Sequence, residues 1–66
     1  MHIIVNGQEI DCPSDCTLAA LLAQLQIPTA GTAVACNDAV VRKASYGETR
    51  LEPGDRIEII RAVAGG

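Results

Sequence analysis

The sequence predicts an α+β sandwich in which one short helix lies on one face of a small sheet. Three observations predict it. Leu18, Leu21, Leu22 and Leu25 recur at helical spacing and form a single apolar stripe, which needs a surface to lie on. Asn6-Gly7 and Asn37-Asp38 each separate two short strand-like runs, which is the mark of a tight hairpin. A last run, residues 56–63, alternates so that Ile57 and Ile59 share a side. The predicted order is hairpin, helix, hairpin, strand.

Each element has a local reason. Residues 1–5 contain the consecutive β-branched Ile3, Ile4 and Val5, which suit a strand. Asn6-Gly7 supplies two residues that tolerate positive φ, as a type I′ turn requires. Residues 8–12 alternate polar and apolar and return as the second strand, until Pro13-Ser14-Asp15 breaks it. Residues 17–25 form the helix, in which Ala19, Ala20 and Ala23 add propensity around the leucines. Asp15 or Thr17 caps its start, and Pro28 ends the run. Residues 33–37 and Val40-Val41 make the second hairpin around Asn37-Asp38. Residues 42–50 are polar and irregular around Tyr46 and Gly47, and Pro53-Gly54-Asp55 turns the chain into the last strand. The expected core is Ile3, Val5, Ile10, Leu18, Leu21, Leu22, Leu25, Val34, Val41, Leu51, Ile57 and Ile59.

Size and charge exclude several functions. A chain of 66 residues holds one domain and buries only about 60% of the surface exposed when unfolded. There is no room for a cofactor domain beside a substrate domain. Five Lys and Arg against eight Asp and Glu give a net charge of −3, without the basic stripe that nucleic acid demands. Tyr46 is the single aromatic residue, so no platform for stacking bases exists. Cys12, Cys16 and Cys36 are odd in number, which argues against a closed disulfide framework. With His2 as the sole histidine, neither a structural zinc site nor a cysteine nucleophile with a histidine base is expected. No secretion signal or membrane span is read from the sequence, so a reducing cytoplasm is the expected location.

The feature that carries chemistry is the end of the chain, Gly65-Gly66. Glycines lack Cβ, so such a backbone enters a narrow slot and presents a bare carboxylate at its tip. A carboxylate is a poor electrophile until it is activated, for example as a mixed anhydride with a nucleotide phosphate. No phosphate-cradling loop of this chain could perform that activation. On this reading the protein is acted upon by an enzyme and is not itself the enzyme. The expected organisation is a domain of residues 1–61 followed by a flexible tail, 62–66. Strand parity also turns Ile4, Ile60 and Ala62 away from the helix. Ile4, Ile60 and Ala62 are therefore expected to form an apolar docking patch near the root of the tail.

These features in this order resemble the sulfur carrier family of thiamine biosynthesis, within the ubiquitin-like β-grasp superfamily. The resemblance spans nearly the whole chain. It rests on the Asn6-Gly7 hairpin, Thr17 opening a Leu21-Leu22 helix, and the Ala33-Val34-Ala35-Cys36-Asn37 strand. It continues through Val41-Arg42, an aromatic at Tyr46 and the Gly54-Asp55 turn to the closing Val63-Ala64-Gly65-Gly66. Many members carry Trp where this chain has Tyr46, and an aliphatic residue where it has Cys36. The resemblance implies a β-grasp with a mixed sheet of four to five strands and one main helix across one face.

It also implies a cycle. An ATP-dependent adenylyltransferase of the ubiquitin-activating type adenylates the Gly66 carboxylate. A relay fed by a cysteine desulfurase converts the adenylate to a thiocarboxylate, and thiazole synthase takes the sulfur. Val63, Ala64 and Gly65 thread the partners' active sites, and no cofactor stays bound. Two alternatives use the same tail: the small subunit of molybdopterin synthase, whose chains are usually longer, and a ubiquitin-like modifier joined to lysines.

Overall fold

A computed structural model describes residues 1–61. It contains five strands and one α-helix: β1 (His2–Val5), β2 (Gln8–Asp11), α1 (Leu18–Gln24), β3 (Thr32–Cys36), β4 (Ala39–Val41) and β5 (Arg56–Arg61). The strands form one mixed sheet in the order β2-β1-β5-β3-β4. The central pair, β1 and β5, is parallel, and every other pairing is antiparallel.

Both hairpins turn as their sequences require. Asn6 and Gly7 have φ of 49° and 82°, and Asn37 and Asp38 have φ of 50° and 70°. Two successive positive φ values give the type I′ twist that matches the strands on either side. Asparagine adopts that conformation far more readily than most side chains, because its short amide bonds locally.

The helix is bounded by its own caps. The Thr17 hydroxyl accepts the Ala20 N–H at 3.1 Å, and Thr17, not Asp15, is the N-cap. At the other end Gln26 takes φ 59°. The Gln26 N–H bonds the Ala23 carbonyl at 3.1 Å, and the Ile27 N–H bonds the Leu22 carbonyl at 2.9 Å. That paired closure is a Schellman motif, so the helix stops at Gln24, short of Pro28.

Residues 42–50 are less irregular than their composition suggests. Lys43–Ser45 form a 3-10 turn, and the segment folds over the start of α1. The carbonyls of Thr49 and Tyr46 accept the Leu18 and Ala19 N–H groups at 2.9 and 3.0 Å. Two otherwise orphaned helix donors are thereby satisfied. Tyr46 is carried into the core with 3% of its surface exposed.

The core lies between α1 and one face of the sheet. Ile3, Val5, Leu18, Leu21, Leu22, Val34, Leu51, Ile57 and Ile59 are buried as expected. Ile10, Leu25 and Val41 are only half-buried and pack against its margin. Cys12, Cys16 and Tyr46 complete it. Buried Thr32 has its hydroxyl satisfied, donating to the Pro28 carbonyl at 2.6 Å.

Candidate functional site

Several segments of the chain converge on β5, the last described strand. β5 is central, paired with β1 on one side and β3 on the other. Both turn asparagines reinforce it. The Asn6 side chain accepts the Ile59 N–H at 2.8 Å and donates to the Ile59 carbonyl at 3.3 Å, which extends the β1 edge past the point where β1 ends. Asn37 accepts the Arg56 N–H at 2.9 Å through its side chain and donates its own N–H to the Arg56 carbonyl at 2.8 Å. The Asn37 amide also donates to Asp55 at 3.0 Å. At the far end Arg61 pairs with Thr32. β5 is thus fixed from its first residue to the last described one.

The side of the sheet away from α1 is open. Cross-strand partners point to the same side, so the register maps this face. Ile4 lies between Glu9 and Arg56. Glu58 lies beside Ala35, which is paired in turn with Val40. Ile60 lies beside Ala33. Among the described residues, Ile60 and Val40 are the large apolar side chains left exposed, at 64% and 80%. Arg56 reaches across to Asp38 at 3.0 Å. An open groove of about 450 Å³ runs along Ile4, Asn6, Gly7, Arg56, Ile57 and Glu58.

The docking patch expected from parity is therefore corrected. β1 and β5 are neighbours, but their register sets Ile4 level with Arg56. Ile60 stands four residues further along, roughly 13 Å at the rise of a strand. Ile4 is half-buried between charged residues, and Ile60 belongs with Ala33, Ala35 and Val40. Parity gave the right face for both isoleucines. Register, a long-range property, decides which residues meet. The remaining predicted site residues, Ala62, Val63, Ala64, Gly65 and Gly66, lie outside the described residues.

The thiols are placed for packing. Cys12 and Cys16 are buried in the core. Cys16 Sγ donates to the Thr17 carbonyl at 3.3 Å. Burial first, then the adjacent Cys12, pushes the Cys16 thiol above its ordinary value. Burial and the nearby Asp55 do the same to Cys36. A protonated thiol is a poor nucleophile, so these environments oppose sulfur relay through Cys16 and Cys36. Among the described residues no group of three or more His, Cys, Asp or Glu is arranged to hold a metal ion. No described helix is long and apolar enough to cross a membrane.

The ThiS family model matches residues 3–66, from β1 to the final glycine. The chain belongs to the ThiS family. Membership makes it a sulfur carrier of thiamine biosynthesis rather than an enzyme. The sulfur carrier protein ThiS of Escherichia coli is 33% identical over 66 residues, the whole of both chains. A thiazole synthase of Paramagnetospirillum magneticum is also 33% identical over this entire chain, which spans 20% of that protein's length. The crystal structure of a thiamine biosynthesis protein (ThiS) from Geobacter metallireducens superposes with a TM-score of 0.83 at 26% identity, with both chains fully covered. The five-stranded mixed sheet with one helix is thus the ubiquitin-like β-grasp of ThiS proteins.

Proposed function

We propose that this ThiS chain carries its sulfur as a thiocarboxylate on Gly66. An adenylyltransferase of the ubiquitin-activating type transfers AMP from ATP to the Gly66 carboxylate and releases pyrophosphate. The terminal sulfur of a persulfide on the cysteine desulfurase-fed relay then attacks the acyl carbon, and AMP leaves. A second thiol of the relay attacks the relay-bound sulfur of the resulting acyl disulfide, which releases the thiocarboxylate and leaves a disulfide on the relay. The thiocarboxylate gives its sulfur to thiazole synthase. Val63, Ala64 and Gly65 pass through the partners' channels, where side chains larger than theirs meet the walls. Ile60, with Ala33 and Val40 on the open face, contributes the docking surface of the domain.

The observation that supports this reading is the stretch similar to this entire chain within a protein named thiazole synthase. Where carrier and acceptor share one polypeptide, the tethered carrier has a high effective concentration at its acceptor. That arrangement suits proteins that act in succession. The cycle also accounts for what the domain contains: a rigid strand leading to the tail, and thiols in environments that oppose nucleophilic attack.

Intact mass spectrometry of the chain, incubated with ATP, the adenylyltransferase and a sulfur source, tests it. The expected change is one sulfur replacing one oxygen, and it requires Gly66. A Gly66-deleted chain that still supports thiazole formation overturns the proposal.

A further inference from the structure

The sheet ends in two edge strands, and they are protected differently. β2 carries Glu9 and Asp11 on its four residues. The Gln24 side chain donates to the Asp11 carbonyl at 3.0 Å, so the helix closes part of that edge. Charge and covering are the usual means of blocking an edge. β4 has neither. Its three residues are Ala39, Val40 and Val41, and Val40 is 80% exposed.

The direction of the backbone groups of β4 follows from the hairpin. A two-residue turn closes on a hydrogen-bonded pair, here Cys36 and Ala39, and such pairs alternate along the ladder. Ala39 and Val41 therefore bond inward to β3. The Asn37 N–H bond to the Arg56 carbonyl on the opposite side of β3 fits the same parity. The N–H and C=O of Val40 point outward. Asp38 stands at one end of this edge and Arg42 at the other, both exposed.

We propose that β4 is a self-pairing edge to which a second copy of this chain adds antiparallel, across a two-fold axis through Val40. In that register Val40 faces Val40 of the partner subunit, and their outward N–H and C=O groups exchange two hydrogen bonds. Asp38 comes opposite Arg42 of the partner subunit, and symmetry repeats the pair. The charges select this alignment: a slip of two residues sets Asp38 or Arg42, by its direction, opposite Val40, and a slip of one turns every side chain to the wrong face. Asp38 already binds Arg56 through Oδ2, and its other carboxylate oxygen is available to the partner subunit. Three residues on each side bury far less than the ~1,200 Å² of a stable interface. The pairing is accordingly weak and reversible. It is independent of the sulfur chemistry at Gly66.

Sedimentation equilibrium and amide chemical shifts of the full chain, followed from tens of micromolar to millimolar, test the proposal. The average mass should climb toward that of a dimer, the Val40 and Arg42 amides should move with concentration, and added salt should oppose both. Asp38→Arg alone and Arg42→Glu alone each set like charges opposite one another, and each should weaken association at least tenfold. An equimolar mixture of the two should associate again, because the introduced guanidinium at position 38 meets the introduced carboxylate at position 42. Val40→Pro removes the outward N–H but none of the bonds to β3, and should abolish association while amide dispersion elsewhere is kept. A parent chain that stays monomeric throughout overturns the proposal, as do single variants that associate like the parent or a mixture that remains monomeric. Association that survives Val40→Pro overturns it as well, since another surface then carries it.

Discussion

β5 shows two different sides. Toward the helix it presents Ile57 and Ile59, 1% and 8% exposed; on the other side lie Arg56, Glu58 and Ile60, with Ile60 at 64%. The first row is fixed by packing, since each isoleucine has a place among Ile3, Leu21, Leu22 and Val34 in one cluster. The second row is not required to fill anything. A domain of 66 residues has little core to spare, so its stability occupies one face and leaves the other for partners. Changes on the two sides should therefore separate stability from function.

The sharpest separation is at the tail. Deleting Gly66 should abolish sulfur loading completely and leave the thermal midpoint unchanged, as read by mass spectrometry and calorimetry on the same sample. The reverse case is Leu21→Ala on the buried side, where exposure is 0%. It should cost about 2–5 kcal/mol by urea unfolding, while the fraction still folded is adenylated at the normal rate.

Asn6 lies between these extremes. Asn6→Ala loses both side-chain bonds to Ile59 and places alanine at φ 49°. The expected cost is about 1–3 kcal/mol, and amide exchange should quicken first at Ile59 and Ile60. Ile60→Asp on the open side should have the smallest effect on stability, within about 0.5 kcal/mol. It should nevertheless weaken binding to the adenylyltransferase about tenfold, or 1.4 kcal/mol. Unchanged affinity in a titration removes Ile60 from the docking surface.

The same contrast marks what was legible in the sequence. Features written in neighbouring residues were readable. Asn6-Gly7 and Asn37-Asp38 turn as their chemistry requires, the leucine stripe forms the buried side of α1, and the alternation of β5 assigns its faces. Features that depend on distant segments were not. Tyr46 is buried because its segment delivers carbonyls to the start of α1, and nothing in the polar residues around it signals that. Cys12 and Cys16 lie in the core at the ends of a turn whose path is set by Leu51, whose N–H bonds the Cys16 carbonyl at 3.0 Å. The parallel register of β1 on β5 joins residues more than fifty apart in the chain, and it is what separates Ile4 from Ile60. The Gly65-Gly66 ending was legible as chemistry because it needs no fold to be read.

Fragment mass spectrometry of the sulfur-loaded chain is the most direct test of the central claim, because it separates the two places where sulfur can reside. A thiocarboxylate exchanges one oxygen for one sulfur, whereas a persulfide adds a sulfur atom to a thiol. The prediction is a single exchange on the fragment containing Gly66, with the fragments of Cys12, Cys16 and Cys36 unchanged. Added sulfur on any of those three cysteines, with an unmodified Gly66 fragment, would contradict it.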